Sequence, residues 1–198
     1  MLEYIVVVGT LLCTLAILEI IANKSHIPAT VLRKIVHVAM AALVIVFALQ
    51  YKHTIFIGLG FAFALLMVLF HYLKPLKSIS DRHAHSFGEV FFPIGVALAA
   101  MITYSTTDFI IAIAILGLVD TMAYFVGKNF RSKKILFNKT AAGSVAFVTV
   151  TFLLLMITVP PHIAIGFSIV LGLVELFSPY GSDNLTIPLA SAFLLAYV

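Results

Sequence analysis

Long apolar stretches alternate with short polar ones along the whole chain. Eight such runs stand at roughly 4–22, 35–51, 54–73, 90–104, 108–127, 144–160, 162–177 and 185–198. A membrane-spanning helix needs about 20 mostly apolar residues, with a range of ~17–25. The runs lack the alternation of membrane barrel strands and are too long for buried strands. The pattern therefore predicts an all-α integral membrane protein. Residues 1–198 would form one transmembrane domain, a polytopic bundle of about eight helices, or seven if a short run passes only partway. Pro28, Pro75, Pro160, Pro161 and Pro179 fall near run edges, where a missing N–H does least damage. Pro93 and Pro188 are expected inside first turns of their runs. No linker, low-complexity tract or internal repeat divides the chain.

Composition sharpens this picture. Of 198 residues, 63% are hydrophobic and 10% charged, more apolar surface than a soluble domain of this length can hide. The first run carries Glu3, lacks a basic leader and is followed by similar runs, so it reads as a helix rather than a cleaved signal peptide. The single cysteine, Cys13, excludes a disulfide framework and a cysteine-based metal site. The net charge of +4 comes from clustered basic residues. Such clustering suits membrane topology or anionic ligands better than nucleic acid.

Charge also predicts orientation. With eight spans, Lys24, Arg33 and Lys34 flank the first loop, Lys74, Lys77 and Arg82 the third, and Lys128, Arg131, Lys133, Lys134 and Lys139 the fifth. Only Lys52 lies opposite, so eleven of the twelve Lys and Arg share one face. The positive-inside rule makes that face cytoplasmic, with both termini external and the chain in the cell membrane. Asp81, Glu89, Asp120, Glu175 and Asp183 fall in or near the same helix ends, with Glu19 nearby. One polar site opening to the cytoplasm is expected.

Asp120 is the costliest of these acids. It lies seven residues before Gly127, about 10 Å of helix from the inner boundary. An intramembrane carboxylate costs on the order of 3 kcal/mol on insertion scales, so it should face a partner charge, water or the bundle interior. Asp120, Tyr124 and Gly127 share a helical face. The basic loop from Lys128 ends in Lys139-Thr140-Ala141-Ala142-Gly143-Ser144. Small residues and hydroxyls at a helix start can present N–H groups to an anion, so this stretch is a candidate phosphate cradle. Arg33, Lys34 and His37 open the second run, and His37 lies too deep for simple snorkelling. His83, His85 and Glu89 invite a zinc reading, but two histidines two residues apart face differently on a helix. Glu175 with Asp183 and Asn184 offers hard oxygen ligands suited to magnesium.

Taken together, the motifs resemble the CTP-dependent lipid-alcohol kinases, the family of the dolichol, phytol and farnesol kinases and the yeast-type diacylglycerol kinase. The matching pieces are Arg33-Lys34 with His37, Gly88-Glu89, Asp120-Thr121 with Ala123 and Gly127, Lys139 with Gly143-Ser144, and Glu175 with Asp183-Asn184-Leu185-Thr186-Ile187-Pro188. Their order and spacing, from the second run to the last, carry the resemblance. The central segment is also similar to the phosphatidate cytidylyltransferases, but their Gly- and His-rich ending is absent here. Val119 stands where both families usually have glycine.

The resemblance implies transfer of the γ-phosphate of CTP to the primary hydroxyl of a polyprenol, isoprenoid alcohol or diacylglycerol, with magnesium as cofactor. The partners would be CTP, a membrane lipid alcohol and the bilayer, with no nucleic acid. Asp120 would be a metal ligand or general base, Glu89 an alternative base, and His37 an orienting group. Glu175 and Asp183 would complete the metal set. Arg33, Lys34, Lys128, Lys139, Thr140, Gly143 and Ser144 would hold nucleotide phosphates. The competing expectations are a cytidylyltransferase making a CDP-lipid, and a small transporter using the same buried acids.

Overall fold

The computed structural model describes residues 2–73, 86–137 and 139–198. Lys74, Pro75, Lys77, Asp81, Arg82 and the His83/His85 pair lie outside the described residues. The described residues form eight helices: α1 Leu2–Lys24, α2 Ala29–Gln50, α3 Ile55–Leu73, α4 Gly88–Ile102, α5 Thr106–Asn129, α6 Ala141–Leu155, α7 Pro161–Leu176 and α8 Asp183–Ala196. Of these, α1, α2, α3 and α5 are long and apolar enough to cross a membrane, while the rest are shorter apolar helices. This suggests an integral membrane protein. Apart from the helices, one antiparallel bridge joins Lys134 to Thr140.

The burial pattern is inside out relative to a soluble protein. Asp120 and Glu175 are buried, whereas Leu49 and Leu65 are more than 70% exposed. Apolar side chains turned outward fit a lipid surrounding, where a charged group must find its partner inside the bundle.

Two apolar cores meet along α5. Phe109, Ala112 and Ile113 join a cluster built with α1 to α4. Ile111, Ile115, Leu116, Val119 and Ala123 join a second cluster with α6, α7 and α8. Small residues bring the helices close. A Cβ on Gly60 of α3 would sit 2.6 Å from the Pro93 carbonyl of α4, and one on Gly95 of α4 would sit 2.3 Å from the Asn184 carbonyl of α8. Gly117 of α5 is tighter still, because its Cβ would collide with that of Ala41 on α2.

Three local features depart from the sequence expectation. First, α4 and α8 begin two residues early, at Gly88 and Asp183, so Pro93 and Pro188 sit beyond the first turn. Pro188 removes the N–H that would bond the Asn184 carbonyl four residues back, and Gly95 packs against that carbonyl. Second, α5 is not uniform: Ile115–Val119 is a π-turn between two α segments. Third, Val119, which stands where the resembled families usually have glycine, closes that π-turn and is 1% exposed in the core.

The connector from α7 to α8 turns back over the start of α4. Tyr180 and Gly181 both have positive φ, 54° and 85°. A Cβ on Gly181 would press to 2.6 Å from Ser86 Oγ and 2.8 Å from Gly88 Cα. Left-handed backbone and close approach together require glycine there.

Candidate functional site

The π-turn explains how α2 meets α5. In an α-helix the Asp120 N–H would bond the Leu116 carbonyl; here it bonds Ile115, five residues back. The Leu116 carbonyl instead accepts from His37 Nε2 at 2.9 Å, which assigns the ring proton to Nε2. Gly117 permits the close helix approach that this bond needs. His37 Nε2 also lies 3.9 Å from Asp120 Oδ2, and its ring stands edge-on to Phe92 with centroids 4.9 Å apart.

Three groups of charge converge at one end of the bundle. Lys34 Nζ donates to Asp120 Oδ2, and also lies 5.6 Å from the Tyr124 ring. Lys128, exposed, lies 5.8 Å from that ring. Lys139 Nζ donates to Glu175 Oε1 at 2.6 Å and Asp183 Oδ2 at 3.1 Å. Burial works against the Lys139 charge, yet Asp183, Asp120 and Glu175 outweigh it and hold its pKa above the ordinary lysine range. His71 Nδ1 donates to Glu89 Oε1 at 2.8 Å. Arg33 reaches Ser86 Oγ at 3.1 Å, and Asn184 Nδ2 reaches the Gly88 carbonyl at 2.9 Å.

The candidate phosphate cradle is already in use. Thr140 caps α6 by accepting from the Gly143 N–H at 3.2 Å. The N–H groups of Ala141, Ala142 and Ser144 bond Lys133 O, Ser132 Oγ and Thr140 O respectively. As folded, the chain's own acceptors take the places a phosphate would use. Gly127 and Gly143 serve packing: a Cβ on Gly127 would meet Thr140 Oγ1 at 2.4 Å, and one on Gly143 the Ala123 carbonyl at 2.9 Å. Ser144 Oγ, by contrast, is buried without a hydrogen-bond partner.

Two carboxylate oxygens are likewise buried and unpartnered, Glu89 Oε2 and Glu175 Oε2. A buried orphan acceptor is costly unless something else meets it. Among the described residues no group of three or more His, Cys, Asp or Glu side chains is gathered to hold a metal. Asp120, Glu175 and Asp183 thus do not form a closed protein cage. Magnesium, however, commonly uses only one or two carboxylates and takes its other oxygens from phosphates and water. Glu175 and Asp183, with one orphan oxygen between them, fit that smaller role.

A cavity of about 430 Å³ joins this polar end to the apolar interior. Arg33, Lys34, His37, Glu89 and Asp183 line one part; Met40, Val44, Phe56, Leu59 and Val96 line another. The arrangement can place a polar head beside cations and carboxylates while an attached apolar chain runs among the helices. Sequence reasoning missed His71, and its available signal was a polar residue in the last turn of an apolar run.

No protein-family model and no solved structure matches the chain. Among curated proteins, phytol kinase of Synechocystis sp. is 28% identical over 194 residues, covering 89% of this chain and 82% of the relative. This similarity supports membership of the lipid-alcohol kinase family that the motifs resemble.

Proposed function

We propose that the protein is a membrane kinase that transfers the γ-phosphate of CTP to the primary hydroxyl of a lipid alcohol. The observation that carries this reading is the single cavity in which Lys34, His37 and Glu89 share space with apolar side chains of α2, α3 and α4. A transporter for small ions has no use for a long apolar compartment. The similarity to a phytol kinase adds an isoprenoid alcohol as the natural candidate.

In this mechanism the alcohol head lies beside Glu89. Its unpartnered Oε2 takes the hydroxyl proton as the oxygen attacks the γ-phosphorus, while the His71 bond to Oε1 fixes the carboxylate. The bond from γ-phosphorus to the bridging oxygen breaks, and CDP leaves. Such transfer depends mainly on positioning and charge neutralisation. Lys34, aimed by Asp120, and Lys139, aimed by Glu175 and Asp183, supply cations to the phosphate oxygens. Arg33 and Lys128 add positive charge at the rim. Glu175 and Asp183 are the carboxylates that would hold magnesium, whose part is to neutralise phosphate charge. His37, bonded to the Leu116 carbonyl, fixes how α2 sits against the segment that carries Asp120. The polar end, with its basic loop, faces the cytoplasm, all eight helices lie in the membrane, and CTP enters from that side.

Product analysis tests the proposal. Purified protein with magnesium, CTP and an isoprenoid alcohol should yield the lipid monophosphate and CDP. Pyrophosphate and a CDP-lipid from phosphatidate would overturn it in favour of nucleotidyl transfer. Ion flux in liposomes without nucleotide turnover would instead make the protein a transporter.

A further inference from the structure

The far end of the cavity is a constructed floor. Along α2 the lining runs from Thr30 to Val44, fourteen residues or about 21 Å of helix. Phe56, near the start of α3 and 2% exposed, lines the same cavity. Its ring stacks on Phe109 of α5, with centroids 5.5 Å apart. Phe109 is fully buried and also stacks with His53, at 5.6 Å. The His53 ring is held in turn by Thr106 Oγ1 and the Thr103 carbonyl, each at 3.2 Å. Two rings and two polar anchors therefore stand behind Phe56.

We propose that Phe56, propped by Phe109 and His53, is a length stop for the tail of a single-chain lipid alcohol. This rests on the preceding reading, that the alcohol head sits beside Glu89 and its tail descends between the helices. A tail that reaches the stop gains burial with every methylene. One that passes it must displace a stacked, anchored ring, which close-packed interiors resist.

The test uses the full-length protein in detergent with a graded series of straight-chain primary alcohols. Turnover and nucleotide-free binding by native mass spectrometry are both read. The wild type should show a sharp upper limit, each methylene beyond it costing about tenfold or more, as for a closed apolar pocket. Phe56→Ala should move the limit to longer tails. Phe56→Leu, a milder change, should move it the same way by less, and Val44→Phe should move it to shorter tails. Identical length profiles in all four proteins, or no limit in the wild type, would overturn the stop. Turnover with a flat profile would leave the kinase reading standing and remove the stop. Length-limited binding without turnover would do the reverse.

Discussion

His71 of α3 holds Glu89 of α4, with Nδ1 and Oε1 2.8 Å apart, and the other carboxylate oxygen has no partner. A histidine that fixes one oxygen leaves the second without a protein partner on a residue that lines the cavity. Glu89→Gln should lower turnover by about 10²–10⁴-fold, the usual loss for a general base, with alcohol binding retained. His71→Ala should lower kcat and move the pH profile, whereas His71→Gln, which can still donate, should restore part of the rate. An unchanged pH profile in His71→Ala would remove His71 from the mechanism.

The Lys34–Asp120 pair makes a second prediction. Asp120→Asn should remain folded in detergent and lose CTP-dependent phosphorylation. Lys34→Met leaves a buried carboxylate without its cation, which typically costs about 3–5 kcal/mol, so its thermal midpoint should fall clearly. The double variant should regain stability and stay inactive. Wild-type-like turnover by Asp120→Asn would take that residue out of catalysis.

Lys139 bridges two acids on different helices, Glu175 of α7 and Asp183 of α8. Thermal stabilisation by CTP with magnesium is expected in the wild type, since a ligand bound to the folded state raises its stability. Lys139→Gln should abolish that shift. Glu175→Gln should raise the magnesium concentration needed for half-maximal activity by about tenfold or more, the scale of altered metal surroundings.

The apolar pattern made the helices legible because lipid demands long apolar runs. Eight helices appear at those runs among the described residues, seven starting within three residues of expectation and α2 six residues early at Ala29. Four of them are long and apolar enough to cross a membrane. The acids and lysines were legible for the same reason, being expensive where they stand. Their pairings were not. Lys34 meets Asp120 across 86 residues of chain and Lys139 meets Asp183 across 44, distances set by helix packing rather than local spacing. The Thr140–Ser144 segment looked open to a phosphate, but its N–H groups depend on the return of the basic loop through Ser132 and Lys133. His71 was hidden because its partner lies on another helix.

Helix packing offers a fourth test. Gly117→Ala would force a methyl into Ala41. Overpacking of this kind costs roughly 1–3 kcal/mol, and here it pushes α2 from α5 and breaks the His37–Leu116 bond. Activity should drop with it. Gly58→Ala, where a Cβ meets nothing within 4 Å, is the matched control and should behave as wild type.

The π-turn at Ile115–Val119 sets the angular phase of everything after it. It amounts to one residue more than a regular helix would hold over the same length. Were every residue of that stretch kept but wound as a regular α-helix, the surplus residue would have to be taken up by rotation. The half carrying Asp120, Tyr124 and Gly127 would then rotate by about 100° relative to the half packed in the first core. Asp120 would swing off the α2 side and leave Lys34 behind. The inner half of α5 works as a dial set by how that surplus residue is wound, so an apolar substitution that restored regular α-winding just before Asp120 would disassemble the site without replacing a charged member of it.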